Sequence, residues 1–366
     1  MGDFSCVAGD ALNNPNSYNF GENHTSIKFF GATTTSNGLV VLAPYAADCV
    51  GTFNPTTNVF VCVDISSTID VGHKFHGATT AKNGLVVFAP FAANCVGVFD
   101  PSTSVFNCVD IPSTICTASN SIHSLQFTHP TTASNGLIVF TPYNADCVGT
   151  FDPTTSTFRC VDISSTVDSD HKFNGATVAG NGLIVFAPYN ADCVGTFDPT
   201  TSTFRCVDIS TTIEGDHKFN GATTTHNGLV VFAPDFADCV GIFDPTTDVF
   251  ECVDIPRSTA MNGKHKFSGA ITASNGLIIF SPKAANCVGT FSPSTNVFSC
   301  VAISSTLDFD YKFSGATTTS DGLVVFSPLT NNCIGMLKMH SAAGCAAPKA
   351  GAGGLGWSRT PIPNSA

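Results

Sequence analysis

The dipeptide Asn-Gly recurs at Asn37-Gly38, Asn83-Gly84, Asn135-Gly136, Asn181-Gly182, Asn227-Gly228 and Asn275-Gly276, with Asp321-Gly322 last, at spacings of 46 to 52 residues. Each copy marks the same point in a segment repeated seven times, so the fold must be built from seven like units. A unit of about 46 residues is too small to bury a core alone and must bury its apolar surface against its neighbours. The chain ends decide whether the array is open or closed. Phe4-Ser5-Cys6-Val7-Ala8 matches the close of a unit, Phe298-Ser299-Cys300-Val301-Ala302, whereas the seventh unit stops near His340 without that element. The first residues therefore complete the last unit, and the array predicts a ring.

Residues 172–209 show how one unit folds. Lys172-Phe173-Asn174-Gly175-Ala176-Thr177-Val178-Ala179 runs to Asn181-Gly182, a pair that supplies positive φ and favours a tight hairpin. The chain returns through Leu183-Ile184-Val185-Phe186-Ala187 to Pro188, which has no amide donor and ends regular pairing. A third run, Cys193-Val194-Gly195-Thr196-Phe197, leads into the turn signal Asp198-Pro199-Thr200-Thr201, and residues 203–209 form the fourth. No stretch has helix-length amphipathic periodicity. The pattern predicts an all-β chain, a seven-bladed β-propeller of four-stranded antiparallel blades closed by the N-terminal strand. Residues 1–340 are expected to form a single domain, with 1–8 as the closing strand beside residues 333–337, repeats over about 28–340, and a mobile tail at 341–366.

Gly31, Gly77, Gly175, Gly221, Gly269 and Gly315, each followed by Ala, fall in the first strand, where innermost strands converge and bulky side chains would collide. Phe pairs such as Phe197 and Phe204 fill the wider gaps between blades. The recurring Asn-Gly hairpin, aliphatic run, Pro and Asp-Pro turn resemble the Kelch-like group of β-propellers, over residues 28–340 and the first eight. Gly-Ala stands where ordinary Kelch blades have a double glycine, their spaced Tyr and Trp are absent, and Trp357 lies in the tail. The resemblance implies a seven-bladed scaffold often used for binding and carries over no catalytic residue.

Cysteines follow the same period. Cys49 with Cys62, Cys95 with Cys108, Cys147 with Cys160, Cys193 with Cys206, Cys239 with Cys252 and Cys287 with Cys300 are each 13 positions apart. Cys333 has no such mate downstream, and Cys6 supplies one if the ring closes. Each pair brackets a third-to-fourth-strand turn and shares a face, within disulfide reach if its members are directly opposite. Two readings stand: disulfides, worth roughly 3 kcal/mol for each loop of about 14 residues, or reduced, small, buried residues. Two ligands per blade without a close Cys-x-x-Cys do not make a zinc site, so no metal is expected. Cys116 and Cys345 fall outside the ladder and either bridge each other or stay free.

The net charge is −12, and 15 Lys and Arg are scattered singly, so nothing suits a phosphate backbone and nucleic acid is excluded as a partner. Apolar runs are too short for a membrane helix, so no membrane insertion is expected. The first residues have neither a basic start nor a long apolar run, which places the chain in the cytoplasm. Oxidised cysteine pairs would instead mean a secreted protein whose N-terminus is truncated or processed.

Connections from strand two to three and from strand four to the next strand one emerge on one face, and loops on a rigid scaffold commonly bind. That face carries Tyr45, Tyr143, Tyr189, Asp146 and Asp192, and a ring of Lys28, Lys74, Lys172, Lys218, Lys266 and Lys312. The lysines either meet an anionic ligand or pair with nearby Asp to position their own blades. In the third blade six extra residues precede the repeat, Gln126 replaces Lys, and His129-Pro130 replaces Gly-Ala. This asymmetry marks either a partner-specific surface or repeat drift. No phosphate loop, zinc-hydrolase motif or nucleophile elbow occurs, and no cofactor is expected. The leading expectation is a noncatalytic, monomeric ring that binds a protein, peptide or glycan. The alternatives are an extracellular glycan-binding or structural role, and an unrecognised enzyme assembled by converging loops.

Overall fold

The computed structural model describes residues 2–8, 27–112, 125–256, 264–303, 307 and 311–339. The proposed tail, the segment after the closing strand, Cys116 and Cys345 lie outside the described residues. Seven four-stranded antiparallel sheets follow one another as blades. Blade four consists of Phe173–Val178, Ile184–Pro188, Cys193–Asp198 and Thr203–Asp208, innermost strand first. Blades one, two, three, five and six begin at Phe29, Phe75, Phe127, Phe219 and Phe267. Blade seven takes Phe313–Thr318, Leu323–Pro328 and Cys333–Met339 from the end of the chain and Gly2–Ala8 from its start, the last two paired over seven residues. The propeller and its closure are as the repeats predict.

The turn residues do what their chemistry allows. Gly182 sits at φ +86°, and Asn181 Oδ1 accepts from the Leu183 amide at 3.2 Å. The same Asn reaches outward, its Nδ2 donating to Pro245 O in the Asp-Pro turn of the next blade at 2.9 Å. Asn135 does likewise to Pro199 O at 3.0 Å. One side chain thus closes a hairpin and ties two blades.

The core lies between blades. Phe173, Ile184, Phe186 and Phe197 of blade four pack against Val139, Val148 and Ile163 of blade three, while Val185, Val194 and Ile209 meet Phe219, Phe232 and Phe243 of blade five. Burying such a Phe ring stabilises by roughly 1.5–3 kcal/mol. On the axis the glycines are in near contact: a Cβ added to Gly175 would lie 2.5 Å from the Gly221 Cα, and one on Gly221 2.5 Å from the Gly269 Cα. Beyond them, hydroxyls of neighbouring blades pair, Thr33 with Thr80, Thr79 with Thr132, Thr177 with Thr224, Thr223 with Thr272 and Thr317 with Thr34, at 2.9–3.1 Å. Val178 and Ile271 occupy the corresponding place at the other two junctions.

Seven disulfides join Cys6 to Cys333, Cys49 to Cys62, Cys95 to Cys108, Cys147 to Cys160, Cys193 to Cys206, Cys239 to Cys252 and Cys287 to Cys300. Their members are not directly opposite, so direct opposition is not needed for the bond. Cys193 faces Asp208 and Cys206 faces Gly195, so the bond runs diagonally. The Cα atoms are still only 5.4 Å apart, well inside disulfide range. Gly195 cannot be larger, because a Cβ there would meet the Phe173 ring at 2.9 Å.

Candidate functional site

The residue after each second-strand proline is placed at the axial mouth on one face: Tyr45, Phe91, Tyr143, Tyr189, Asp235, Lys283 and Leu329 in blades one to seven. Their contacts form an arc around the axis. Tyr45 and Phe91 centroids are 5.8 Å apart, Phe91 and Tyr143 5.7 Å, and Tyr143 and Tyr189 6.0 Å. On the outer side, His73, His171 and His217 stack on Tyr45, Tyr143 and Tyr189 at 4.5–4.6 Å. Each of these histidines has positive φ, 53–56°. The His171 amide donates to Asn144 Oδ1 at 2.9 Å, and the His217 amide to Asn190 Oδ1 at 3.0 Å, which fixes that backbone bend.

The lysine ring lies beneath this layer. Lys74, Lys172, Lys218 and Lys266 are buried, and their Nζ atoms meet Asp48, Asp146, Asp192 and Asp238 of the preceding blade at 3.1–3.3 Å. Where that partner is amidated the contact persists: Lys312 meets Asn286 Oδ1 at 3.2 Å and Lys28 meets Asn332 Oδ1 at 2.9 Å. Asp146 and Asp192 are thus engaged with lysines, although their own side chains remain 48% and 71% exposed. A buried ammonium without its carboxylate would cost several kcal/mol, so these pairs fasten blade to blade.

The remainder of the mouth breaks the repeat. Asp235, fully buried, stands where blades one, three and four have Tyr, and its Oδ1 lies 3.3 Å from His265 Nδ1. Lys283 occupies the same position one blade on, with Nζ 3.3 Å from His265 Nδ1 and 3.9 Å from Asp235 Oδ2, and 5.8 Å above the Tyr311 ring. Burial lowers the Lys283 pKa while Asp235 opposes the shift. Burial also raises Tyr45 to about 12. It raises Tyr143 and Tyr189 as well, with the Asp235 charge contributing to both. The tyrosines therefore stay protonated, and the Asp235–His265–Lys283 cluster faces an aromatic arc.

Deeper in, the second residue of each first strand faces the axis. His76 stacks on Phe30 at 3.6 Å, lies 5.0 Å from Phe91, and meets His129 at 4.8 Å. His129 occupies the glycine position of blade three at φ 30° and, with Pro130 and the Gly-Ala pairs, lines an axial cavity of about 110 Å³. Burial lowers His129 to about 4 despite an opposing contribution from Asn174, and lowers His76 well below its usual value, with the His129 and Lys283 charges adding to the effect.

Both imidazoles fold neutral but protonate near 6.5 when unfolded, so the unfolded state binds more protons between these values. Stability is fully present above about pH 6.5 and is lost as pH falls toward 4, by at most about 3 kcal/mol for His129. Urea midpoints from pH 7.5 to 4.5 should fall accordingly, and His129→Gly should flatten the slope. A pH-independent midpoint in that window would contradict these assignments.

Sequence reasoning placed Tyr45, Tyr143 and Tyr189 on this face and marked His129 as the departure in the third blade, but did not single out Asp235, His265 and Lys283 as a group. The signal was present in the residues after the second-strand proline, read in register: Tyr, Phe, Tyr, Tyr, Asp, Lys, Leu. Among the described residues, no three His, Cys, Asp or Glu side chains converge as a metal site, and no helix is long and apolar enough to cross a membrane.

No protein-family model matches the chain, and no curated protein aligns with it significantly. Solved structures do match over nearly the whole length. A streptogramin B lyase shares 18% identity at TM-score 0.72, over 93% of this chain and 98% of that one. A catalytically inactive histidine-to-alanine variant of virginiamycin B lyase from Staphylococcus aureus, with quinupristin, shares 16% at TM-score 0.72, over 93% and 100%. The extracellular domain of a hybrid two-component system from B. thetaiotaomicron shares 9% at TM-score 0.66, over 93% of this chain and 40% of that one. At these identities the likeness establishes the fold, so the Kelch-like resemblance reduces to its coarser part, a seven-bladed propeller. The lyases overturn the expectation of a noncatalytic scaffold and of a chain that is not an enzyme: that inference rested on missing motifs, and this same ring carries catalysis in proteins matched end to end.

Proposed function

We propose that the chain is an enzyme of the lyase type, with its active site at the axial mouth. The observation that carries this is the Asp235–His265–Lys283 cluster, a contiguous group of ionisable side chains set against an aromatic arc. The substrate class is a small molecule with a flat apolar face for Tyr45, Phe91, Tyr143 and Tyr189. His265 Nε2 takes a proton from a carbon, the electron pair forms a double bond, and the leaving group departs beside the Lys283 ammonium, which offsets its charge. Asp235 holds the imidazole and stabilises its protonated form.

Quinupristin, bound in one structural neighbour, is the first probe, followed by chromatography and the ultraviolet absorbance of a new double bond. His265→Ala should lower kcat/KM by at least about 100-fold. Turnover untouched by that change would remove His265 from the mechanism, and failure to turn over any of a panel of amphipathic small molecules would remove the lyase reading. The folded chain works as a monomer in an oxidising compartment. Light scattering at twice the chain mass would count against the first, and fourteen alkylatable thiols in freshly isolated native protein against the second.

A further inference from the structure

We propose that His76 and His129, with the side-chain carbonyls of Asn174 and Asn220, form a divalent transition-metal site on the propeller axis, below the aromatic arc. This does not rest on the lyase reading. The four residues come from consecutive blades, two to five, so they form one arc around the axis. In each, a buried polar atom has no hydrogen-bond partner: His76 Nδ1, His129 Nδ1, Asn174 Oδ1 and Asn220 Oδ1. Buried polar atoms are nearly always paired, and an orphan calls for an explanation such as an ion. Four in one arc is a set of donors without an acceptor of their lone pairs. The corresponding residues of blades six and seven behave differently. Ser268 Oγ donates to Phe313 O, and Ser314 Oγ accepts from the Gly31 amide at 3.0 Å, so on that side the fold satisfies its own groups.

The geometry of the two imidazoles fits a shared metal. With metal–nitrogen bonds of about 2.0–2.1 Å, ring centres about 1.1 Å further out and a bond angle of roughly 90–110°, the two centres should lie about 4.5–5.3 Å apart. They lie 4.8 Å apart, with planes at 73°. The Phe30 ring stacked on His76 at 3.6 Å holds one imidazole in place, and the Asn174 side chain faces the other. His129 is also the one residue of the described inner ring that replaces a glycine, adopting φ 30° to do so. A non-glycine residue in that region carries strain, which a ligating role explains and simple repeat drift does not. Two imidazoles with amide oxygens suit zinc, cobalt, nickel or copper rather than calcium or magnesium.

The repeats supply the variants for the test. His129→Gly and His76→Asn restore what other blades carry at the same positions, so both should fold. Untagged, chelator-treated protein, with Cys116 and Cys345 alkylated, is titrated with Co2+ by visible absorption and calorimetry. The wild type should take up one equivalent, and each variant should bind at least about tenfold more weakly. His171→Ala, an off-site histidine, should bind as the wild type does. No Co2+ uptake by the wild type, uptake unchanged in either variant, or loss in His171→Ala would overturn the site.

Discussion

Gly221→Ala should destabilise the ring by about 3 kcal/mol or more, a larger effect than a methyl group causes at almost any other glycine here. Two terms add. The position has φ +103°, which L-residues rarely adopt, and the new Cβ would sit 2.5 Å from the Gly269 Cα and 3.1 Å from its nitrogen. Both neighbours are backbone atoms, so no side chain can turn aside. Gly84 separates the terms: it has φ +87°, but an added methyl would meet nothing within 4 Å. Gly84→Ala should therefore cost only the conformational part, about 1 kcal/mol. Denaturant midpoints of the two variants measure the difference, and equal losses would mean that the axial contact contributes nothing.

Removal of residues 2–8 should have the other large effect. It takes away a seven-residue strand pairing with Cys333–Met339 and the Phe4 ring, which lies 6.1 Å from Phe313 and from Phe326. It also removes the Cys6–Cys333 crosslink, with a sequence separation of 327, for which the chain-entropy account gives about 6 kcal/mol. The newly exposed edge of Cys333–Met339 is a template for pairing with other chains, so aggregation should accompany the loss of stability. Cys6→Ser, which keeps the strand, should lose the crosslink contribution alone. Melting and solubility unchanged by the deletion would refute closure by the N-terminal strand.

The regular half of this molecule could be read from its residues because each regular feature has a local or steric cause that repeats. Gly-Ala marks the crowded axis, Asn-Gly and Asp-Pro mark the turns, and Cys6 with Cys333 marks the join. The disulfide geometry was less legible. Spacing fixes the strand and the face, but the two-residue stagger between Cys193 and Cys206 depends on pairing register, which the turn settles only in three dimensions. Averaging over repeats also works against recognising the site. Asp235, Lys283 and His129 are departures from the consensus, and their significance comes from neighbours in other blades, such as His265 and His76, at distances set by ring closure. The lysines, conspicuous because they recur, are occupied in holding blades together.

The bond between Cys6 and Cys333 also changes what a break in the backbone can do. All seven disulfides lie within single blades, but six span 13 positions of sequence, whereas this one links positions at opposite ends of the described chain and makes everything between them a covalent loop. A protease that cuts once anywhere between residues 6 and 333 releases no fragment. The nicked product has the same mass apart from one water and gains a second pair of ends, its two pieces still joined by the Cys6–Cys333 bond. In surroundings where proteins are cut, such a ring can lose the continuity of its chain and keep all of its blades.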